Sequence, residues 1–440
     1  MAAAALLEAI CADPDSDEAR LVYGDWLTEQ DEPIGELIAV QCRLAAANEG
    51  ERRKLVRREN QLLKLIARGW GDSWKFTKGE LEYTERISYR VYSDDEKLRC
   101  RFARGFIDHV DAHSLVLESR FAWLLDAAPV LSSLRIRQFR GAGGPSEELM
   151  ELVGKLRPLR ALALTPGNGL AVRAIATASH FSQLRELSLE RGSAQDSVSQ
   201  EVDSLANCST LGSLETLDLY KYGLETNDVR SLAGGRFSLR RLLLNRSEIG
   251  PDGARELASS EAFRQLEELG LYENGLEADG AAALANSAHL GCLRSLDLRS
   301  NRIRSAGAAA LGQATGLPSL RTLVLVGNTL DAEAIAGLLG PGLPNLTELN
   351  LQHTRIDDDA VDALLAATDT CRRLAALNLR SNKLTDRSAQ RLAACADLSG
   401  LSVLNLNGNR AITEEGAAAL SRSAHLADAA IHVGGKRLTR

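Results

Sequence analysis

The first residues along the chain able to do chemistry are three alternating carboxylates, Asp13, Asp15 and Asp17, spaced like the opening of a calcium loop. Such a loop needs glycine at its sixth position and a bidentate glutamate at its twelfth. Glu18 and Gly24 stand there instead, so calcium is not expected. The glycine-rich stretches GAGGPSEE (141–148) and GGKR (434–437) lack the spacing and the Lys-Ser/Thr pair that cradle nucleotide phosphates. His180 and His289 each stand four residues before a leucine that opens a recurring segment, and His425 takes a comparable place. Cys208 and Cys395 share a place six residues before such a leucine. A catalytic residue should interrupt a repeat rather than recur in it. The histidines therefore read as polar helix termini and the cysteines as small core residues. No Ser, His and Asp grouping stands out from background. The chain is expected to be no enzyme and to need no metal or cofactor.

The recurring segment is LxxLxLxxNxL, as in LRSLDLRSNRI (293–303), LRTLVLVGNTL (320–330), LAALNLRSNKL (374–384) and LEELGLYENGL (266–276). Further copies open at Leu159, Leu184, Leu214, Leu239, Leu346 and Leu401, and a degenerate one, LSSLRIR, at Leu131. From Leu159 to Leu401 the starts are 25 to 30 residues apart. The LxL core has the period of a short strand with one buried face. Between copies runs a helical pattern with GAAAL at 280–284, 307–311 and 416–420. Strands stack about 4.8 Å apart whereas helices need about 10 Å, so the array must curve with parallel strands inside and helices outside, a horseshoe. The asparagine at the ninth position (Asn274, Asn301, Asn328, Asn382, Asn409) is placed to satisfy backbone groups where the strand turns away, and a stacked ladder is expected. Gly192, Tyr222, Ser247 and Thr354 replace it in other copies, where a weaker or water-filled ladder is expected.

This pattern resembles the leucine-rich repeats of the ribonuclease-inhibitor type over roughly residues 131–433. The resemblance implies strand-plus-helix units that act as a protein-binding scaffold. The last segment, IHVGGKRLTR, reads as a truncated strand with a polar tail that closes the stack.

Residues 1–74 read as a helical domain: Asp15 and Glu18 make a variant capping box ahead of Leu21, Val22, Trp26 and Leu27, and a second helix covers roughly 34–47. A third, ERRKLVRRENQLLKLIAR, is amphipathic with a basic face. Residues 1–36 carry ten acidic residues against Arg20 alone, and 43–68 carry eight basic against three acidic, so pairing between the two segments is expected. LLEAICADPDSDEARLVYGDWLTEQDEP followed by GELIAVQCRLA is similar to the short bacterial repeat-companion domain, which brings no activity to transfer. From 81 to 103 the alternation of Leu81, Tyr83, Ile87, Tyr89 and Val91, the turn SDDE, then Leu98, Cys100 and Phe102 predicts a β-hairpin. It should cap the first repeat with a helix over 114–127 behind it. The reading is thus an α/β solenoid over 131–440, a hairpin-and-helix cap over 75–130 and a helical domain over 1–74.

Composition narrows the partners. At 440 residues, 45% hydrophobic but only 4% aromatic, the core must be aliphatic, as in a solenoid. A net charge of −7 offers no overall attraction to nucleic acid or to anionic membranes. No run of about 18 apolar residues exists, and Glu8 interrupts the first apolar stretch, so neither membrane span nor export signal is expected. Seven cysteines without a CxxC pair suit reduced thiols in the cytoplasm, and the excess of arginine over lysine suits a bacterial genome.

What remains is the concave face. Reading across copies, it presents Glu190, Arg191, Tyr220, Lys221, Asn245, Arg246, Tyr272, Glu273, Asp297, Arg299, Gln352, His353, Arg380 and Asn407. Tyrosine and arginine are enriched in interface hot spots, and Tyr220 and Tyr272 lie on one row two repeats apart. A monomeric, non-catalytic scaffold binding a folded protein on this face is expected. The alternatives are regulation of a small GTPase, as some repeat proteins of this type perform, and delivery as a bacterial effector.

Overall fold

The computed structural model describes residues 2–71, 73–77, 80–84, 97–138, 145–156, 159–191 and 198–438. The chain packs as two compact units, one made of Met1–Asp196 with Cys208–Leu214 and the other of Ser197–Asn207 with Glu215–Arg440.

The first unit begins with helices α1 (Ala2–Ala12), α2 (Asp17–Glu29), α3 (Pro33–Ala46) and α4 (Glu49–Gly69). The cap of α2 is Ser16, whose hydroxyl accepts from the Ala19 N–H, and not the expected pair of Asp15 and Glu18. Asp15 and Asp17 face Arg104 instead, at 3.9 and 3.2 Å, and Asp15 also binds Arg160 at 3.0 Å. These arginines hold the Asp15 carboxyl below its ordinary value, chiefly through the Arg160 hydrogen bond. Ile10, Leu27, Ile38 and Phe106 make the core of this end.

Strands β1 (Trp74–Thr77), β2 (Glu80–Thr84), β3 (Lys97–Ala103) and β4 (Phe106–His113) follow as antiparallel neighbours, and α5 (Ser114–Ala127) lies where a helix is expected. The predicted hairpin is the pairing of β2 with β3, Leu81 opposite Cys100. Ile87, Tyr89, Val91 and the SDDE turn fall outside the described residues. Two strands went unforeseen, β1 and β4. The turn from β3 to β4 has Arg104 at φ 50° and Gly105 at φ 83°, and a Cβ on Gly105 would lie 1.9 Å from the Ile38 side chain. The chain there passes against α3, so only glycine fits. From β4 onward pairing is parallel, through β5 (Ser133–Arg137), β6 (Ala161–Gly167) and β7 (Glu186–Arg191), with α6 (Glu147–Val153) and α7 (Gly169–Thr177) between strands. Ser146 of GAGGPSEE caps α6, its hydroxyl accepting from the Leu149 N–H, and residues 141–144 fall outside the described residues.

The second unit alternates helix and strand: α8 (Ser199–Ala206), β8 (Thr216–Tyr220), α9 (Thr226–Ala233), β9 (Arg241–Leu243), α10 (Gly250–Ser259), β10 (Glu268–Gly270), α11 (Glu277–Ala285), β11 (Ser295–Asp297), α12 (Arg304–Gly312) and β12 (Thr322–Val324). It continues through α13 (Ala332–Leu338), β13 (Glu348–Asn350), α14 (Asp358–Ala366), α15 (Thr368–Arg373), β14 (Ala376–Asn378), α16 (Asp386–Ala394), β15 (Val403–Asn405), α17 (Glu414–Ser421), β16 (Ala430–Val433) and β17 (Lys436–Arg437). Strands β8 to β16 pair in parallel with no register slip, leucine opposite leucine: Leu217, Leu242, Leu269, Leu296, Leu323, Leu349, Leu377 and Leu404, ending at Ile431. Each of these leucines is at most 2% exposed, and each contributes about 1.5–3 kcal/mol by burial. The GAAAL runs lie inside α11, α12 and α17. Gly307 is small because α11 runs close by, its Ala278 Cα 3.1 Å from where a Cβ would sit. The last strand folds back through Gly434 and Gly435 so that β17 pairs antiparallel with β16 and covers the open edge. This is a leucine-rich-repeat solenoid.

The asparagine ladder is present. Each buried amide accepts from one or two backbone N–H groups of the preceding repeat and donates to carbonyls: Asn274 accepts from Ser247 at 2.9 Å and Ile249 at 3.3 Å and donates to Leu244 at 2.8 Å. Ser247 and Thr354 do not leave water-filled gaps as expected, since both are fully buried and bonded. The Ser247 hydroxyl accepts from Tyr222 N–H and donates to the Leu219 carbonyl, and that of Thr354 donates to Leu351 at 2.6 Å.

Candidate functional site

After each LxL of the second unit the chain must leave the strand, and the residue at position eight is left-handed: Lys221 (φ 61°), Arg246 (57°), Glu273 (56°), Ser300 (52°), Gly327 (73°), His353 (55°), Ser381 (55°) and Gly408 (79°). Non-glycine residues pay a modest steric cost there. What holds them is the sheet, for the position-eight N–H donates to the position-seven carbonyl of the next repeat, as Lys221 to Asn245, Arg246 to Tyr272 and Glu273 to Arg299. The side chains at positions seven and eight therefore project from a backbone fixed on both sides.

Seven of the expected site residues come together at the ends of β8 to β11 and in the turns that follow them. Arg246 is their centre: it donates to Glu273 at 2.5 Å and to the Tyr220 hydroxyl at 3.3 Å, and its guanidinium lies 5.8 Å from the Tyr272 ring centroid. Arg299 covers the same ring at 5.3 Å and is held by Asp297 at 2.7 Å, while the Lys221 ammonium stands 4.8 Å over Tyr220. The Tyr220 and Glu273 hydrogen bonds raise the pKa of Arg246; Arg246 in turn lowers that of Glu273; and Asp297 raises that of Arg299. The Glu273 hydrogen bond raises the Tyr272 phenol. The surface thus offers three basic side chains, two carboxylates and two phenols in fixed order, gripped by cation–π contacts and hydrogen bonds.

The other expected residues are placed differently. Asn245 is a strap rather than a reader, its side-chain oxygen accepting from the Tyr272 N–H at 2.9 Å. Gln352, His353, Arg380 and Asn407 follow on β13 to β15, beyond a repeat that presents Val324 and Val326, and Asn407 Oδ1 accepts from Gly435 N–H at 2.8 Å. Glu190 and Arg191 end β7 in the first unit. A row that sequence reasoning missed is Asn350, Asn378 and Asn405, in register at position five. Each oxygen accepts the N–H two residues on, at 3.1 Å, which fixes the amide. Reading the fifth position in every copy, rather than at Asp297 alone, would have found it.

These groups form an exposed to half-buried surface of charged, amide and phenol side chains. A hollow of about 370 Å³ elsewhere in the unit is lined by Arg236, Phe237, Ser238, Glu261 and Arg264, with Glu261 paired to Arg264 at 3.1 Å.

The family described as "Leucine Rich repeat" matches residues 289–312, 342–365 and 401–421. Among solved structures the chain is similar to an internalin of Listeria monocytogenes, at 18% identity and a TM-score of 0.40, covering 74% of this chain and 82% of that one. It is also similar to a structure of the yeast Rad7 and Elc1 complex, at 16% identity and a TM-score of 0.46, covering 74% and 79%. No curated protein matches the chain. Leucine-rich-repeat proteins are generally protein-interaction scaffolds. Among the described residues no helix is long and apolar enough to cross a membrane.

Proposed function

We propose that this chain is a protein-interaction scaffold without catalytic activity of its own, acting as a cytoplasmic monomer, and that a folded protein docks on the strand face of the second unit. The observation that carries the reading is the network centred on Arg246. It displays two tyrosines and three cations on backbone that the sheet already holds, so little ordering is lost on binding. Polar straps such as Asn245 and Asn350 add rigidity. Residues 75–130 serve in this reading as the cap of the first repeat, and residues 1–74 form a helical domain similar to a repeat-companion domain.

The test is a variant with Tyr220, Tyr272, Arg299 and Arg380 all changed to Ala, used beside the wild type to capture proteins from lysate of the native organism, with mass spectrometry of what is retained. A protein held by the wild type and lost by an equally folded variant supports the surface. Retention of the same protein by both rejects it.

A further inference from the structure

The basic face of α4 is not consumed within the fold. Pairing of the acidic start with this helix does occur, Glu36 with Arg58 at 2.5 Å, and Arg43 pairs with Glu51 at 2.9 Å. But Arg53, Arg57, Lys64 and Arg68 are all exposed, and none has an ion-pair partner among the described residues, although the Lys64 ammonium lies 5.7 Å over the Phe76 ring. Their positions fall within about 60° of one another around the helix, and the fifteen steps from Arg53 to Arg68 at about 1.5 Å each make a stripe about 22 Å long. Arg53 with Arg57 and Lys64 with Arg68 are like charges four apart, an arrangement that costs the isolated helix and does nothing for the core. The opposite face supplies the packing through buried Leu55, Leu62, Leu63 and Ile66. The C-terminal end is pinned by Trp70, whose ring meets Trp74 at 4.8 Å, Trp123 at 5.4 Å and Phe102 at 5.9 Å.

We infer that this stripe is a second docking surface, separate from the strand face, for an acidic segment of a partner protein with carboxylates at helical spacing. Charge complementarity selects an anion, and the rest of the molecule selects which kind. With a net charge of −7, the chain as a whole offers no attraction to an extended polyanion or an anionic membrane sheet. A segment no longer than the stripe lies within a Debye length of the four cations and is screened from the rest. The rings of Trp70, Trp74 and Trp123 pack on one another and Trp70 on Phe102, which takes them out of use as stacking platforms for bases, and Phe76 is covered by Lys64 at 5.7 Å. Leu65 and Val56 beside the stripe, 50% and 38% exposed, give an apolar rim that suits a protein partner.

The experiment titrates the full chain into a fluorescent alanine-based helical peptide with glutamates four residues apart, and in parallel into oligothymidine and phosphatidylserine vesicles, following anisotropy or co-sedimentation. The wild type should bind the peptide more tightly than either other probe and lose affinity as salt rises. The variant carrying Arg53→Gln, Arg57→Gln, Lys64→Gln and Arg68→Gln should bind it roughly tenfold more weakly with an unchanged melting curve. Arg53→Gln with Arg57→Gln should show a smaller loss, and serves alone if the fourfold variant does not fold. The fourfold alanine variant of the strand face should bind the peptide like the wild type. Equal binding by wild type and glutamine variants, or tighter binding of oligothymidine or vesicles, overturns the proposal.

Discussion

Asn328 holds Asn301 by its backbone: the Asn328 side-chain oxygen accepts the Asn301 N–H at 3.0 Å and the Ile303 N–H at 3.1 Å, and its amide donates to the Leu298 carbonyl at 2.8 Å. Asn301 does the same for Asn274, Leu276 and Leu271. One side chain thus closes three backbone groups that water does not reach. Asn301→Ala leaves them unpaired, and unfolding in urea should show a loss of about 3–5 kcal/mol. A loss below about 1 kcal/mol would mean that the leucines alone set the register. Thr354→Val, which removes the hydroxyl shared between the Leu351 carbonyl and the Asn382 side-chain oxygen, should cost about 1 kcal/mol.

Gly105→Ala should destabilise the first unit by about 3 kcal/mol, since the new methyl meets Ile38 and the backbone stays left-handed. All four tryptophans, Trp26, Trp70, Trp74 and Trp123, belong to that unit, so their fluorescence reports its unfolding selectively. The midpoint by fluorescence should fall; an unchanged midpoint would show that α3 yields without cost.

A second inter-repeat tie is acid-sensitive. Asp386 accepts from the Thr413 hydroxyl at 2.6 Å, the Thr413 N–H at 2.8 Å and the Gly416 N–H at 3.0 Å, and Asp358 accepts in the same way from Thr385 and Ser388 one repeat earlier. Burial works to raise Asp358, but these bonds outweigh it, and both carboxyls sit below their ordinary value. A depressed folded pKa means that the unfolded chain binds more protons, so the stabilisation is full above the ordinary carboxylate range and is lost as pH falls through the folded value. The melting temperature should fall steeply below about pH 4, and less steeply in the Asp358→Asn, Asp386→Asn double variant. Parallel curves would assign the acid transition to other groups.

The strands, the ninth-position asparagines and the helices were legible because each is decided by a pattern that recurs: Leu296 and Leu298 repeat what Leu269 and Leu271 do. Strand β4 was not, because a register shift between Arg101 and Phe102 breaks the alternation and because His109 and Asp111 mix into it. The Ser16 cap lost to Asp15 and Glu18 in the reading because Arg104 and Arg160, which claim Asp15, are distant in sequence. The site residues could be named one by one from the repeat frame. Their joining around Arg246 could not, for it depends on which side chains of neighbouring repeats reach each other across the sheet.

That network should matter little to the fold. Its Arg246–Glu273 ion pair is exposed, so Glu273→Ala or Arg246→Ala should change stability by less than about 1 kcal/mol in urea. A larger loss would make it a structural clasp and weaken its claim to be kept for a partner.

The most direct measurement is hydroxyl-radical footprinting of the captured complex against the free protein. Docking on the strand face predicts that Tyr220, Tyr272 and His353 lose labelling while His425, exposed after α17, keeps it. Protection of His425 with Tyr220 and Tyr272 still labelled would place the partner elsewhere and contradict the account.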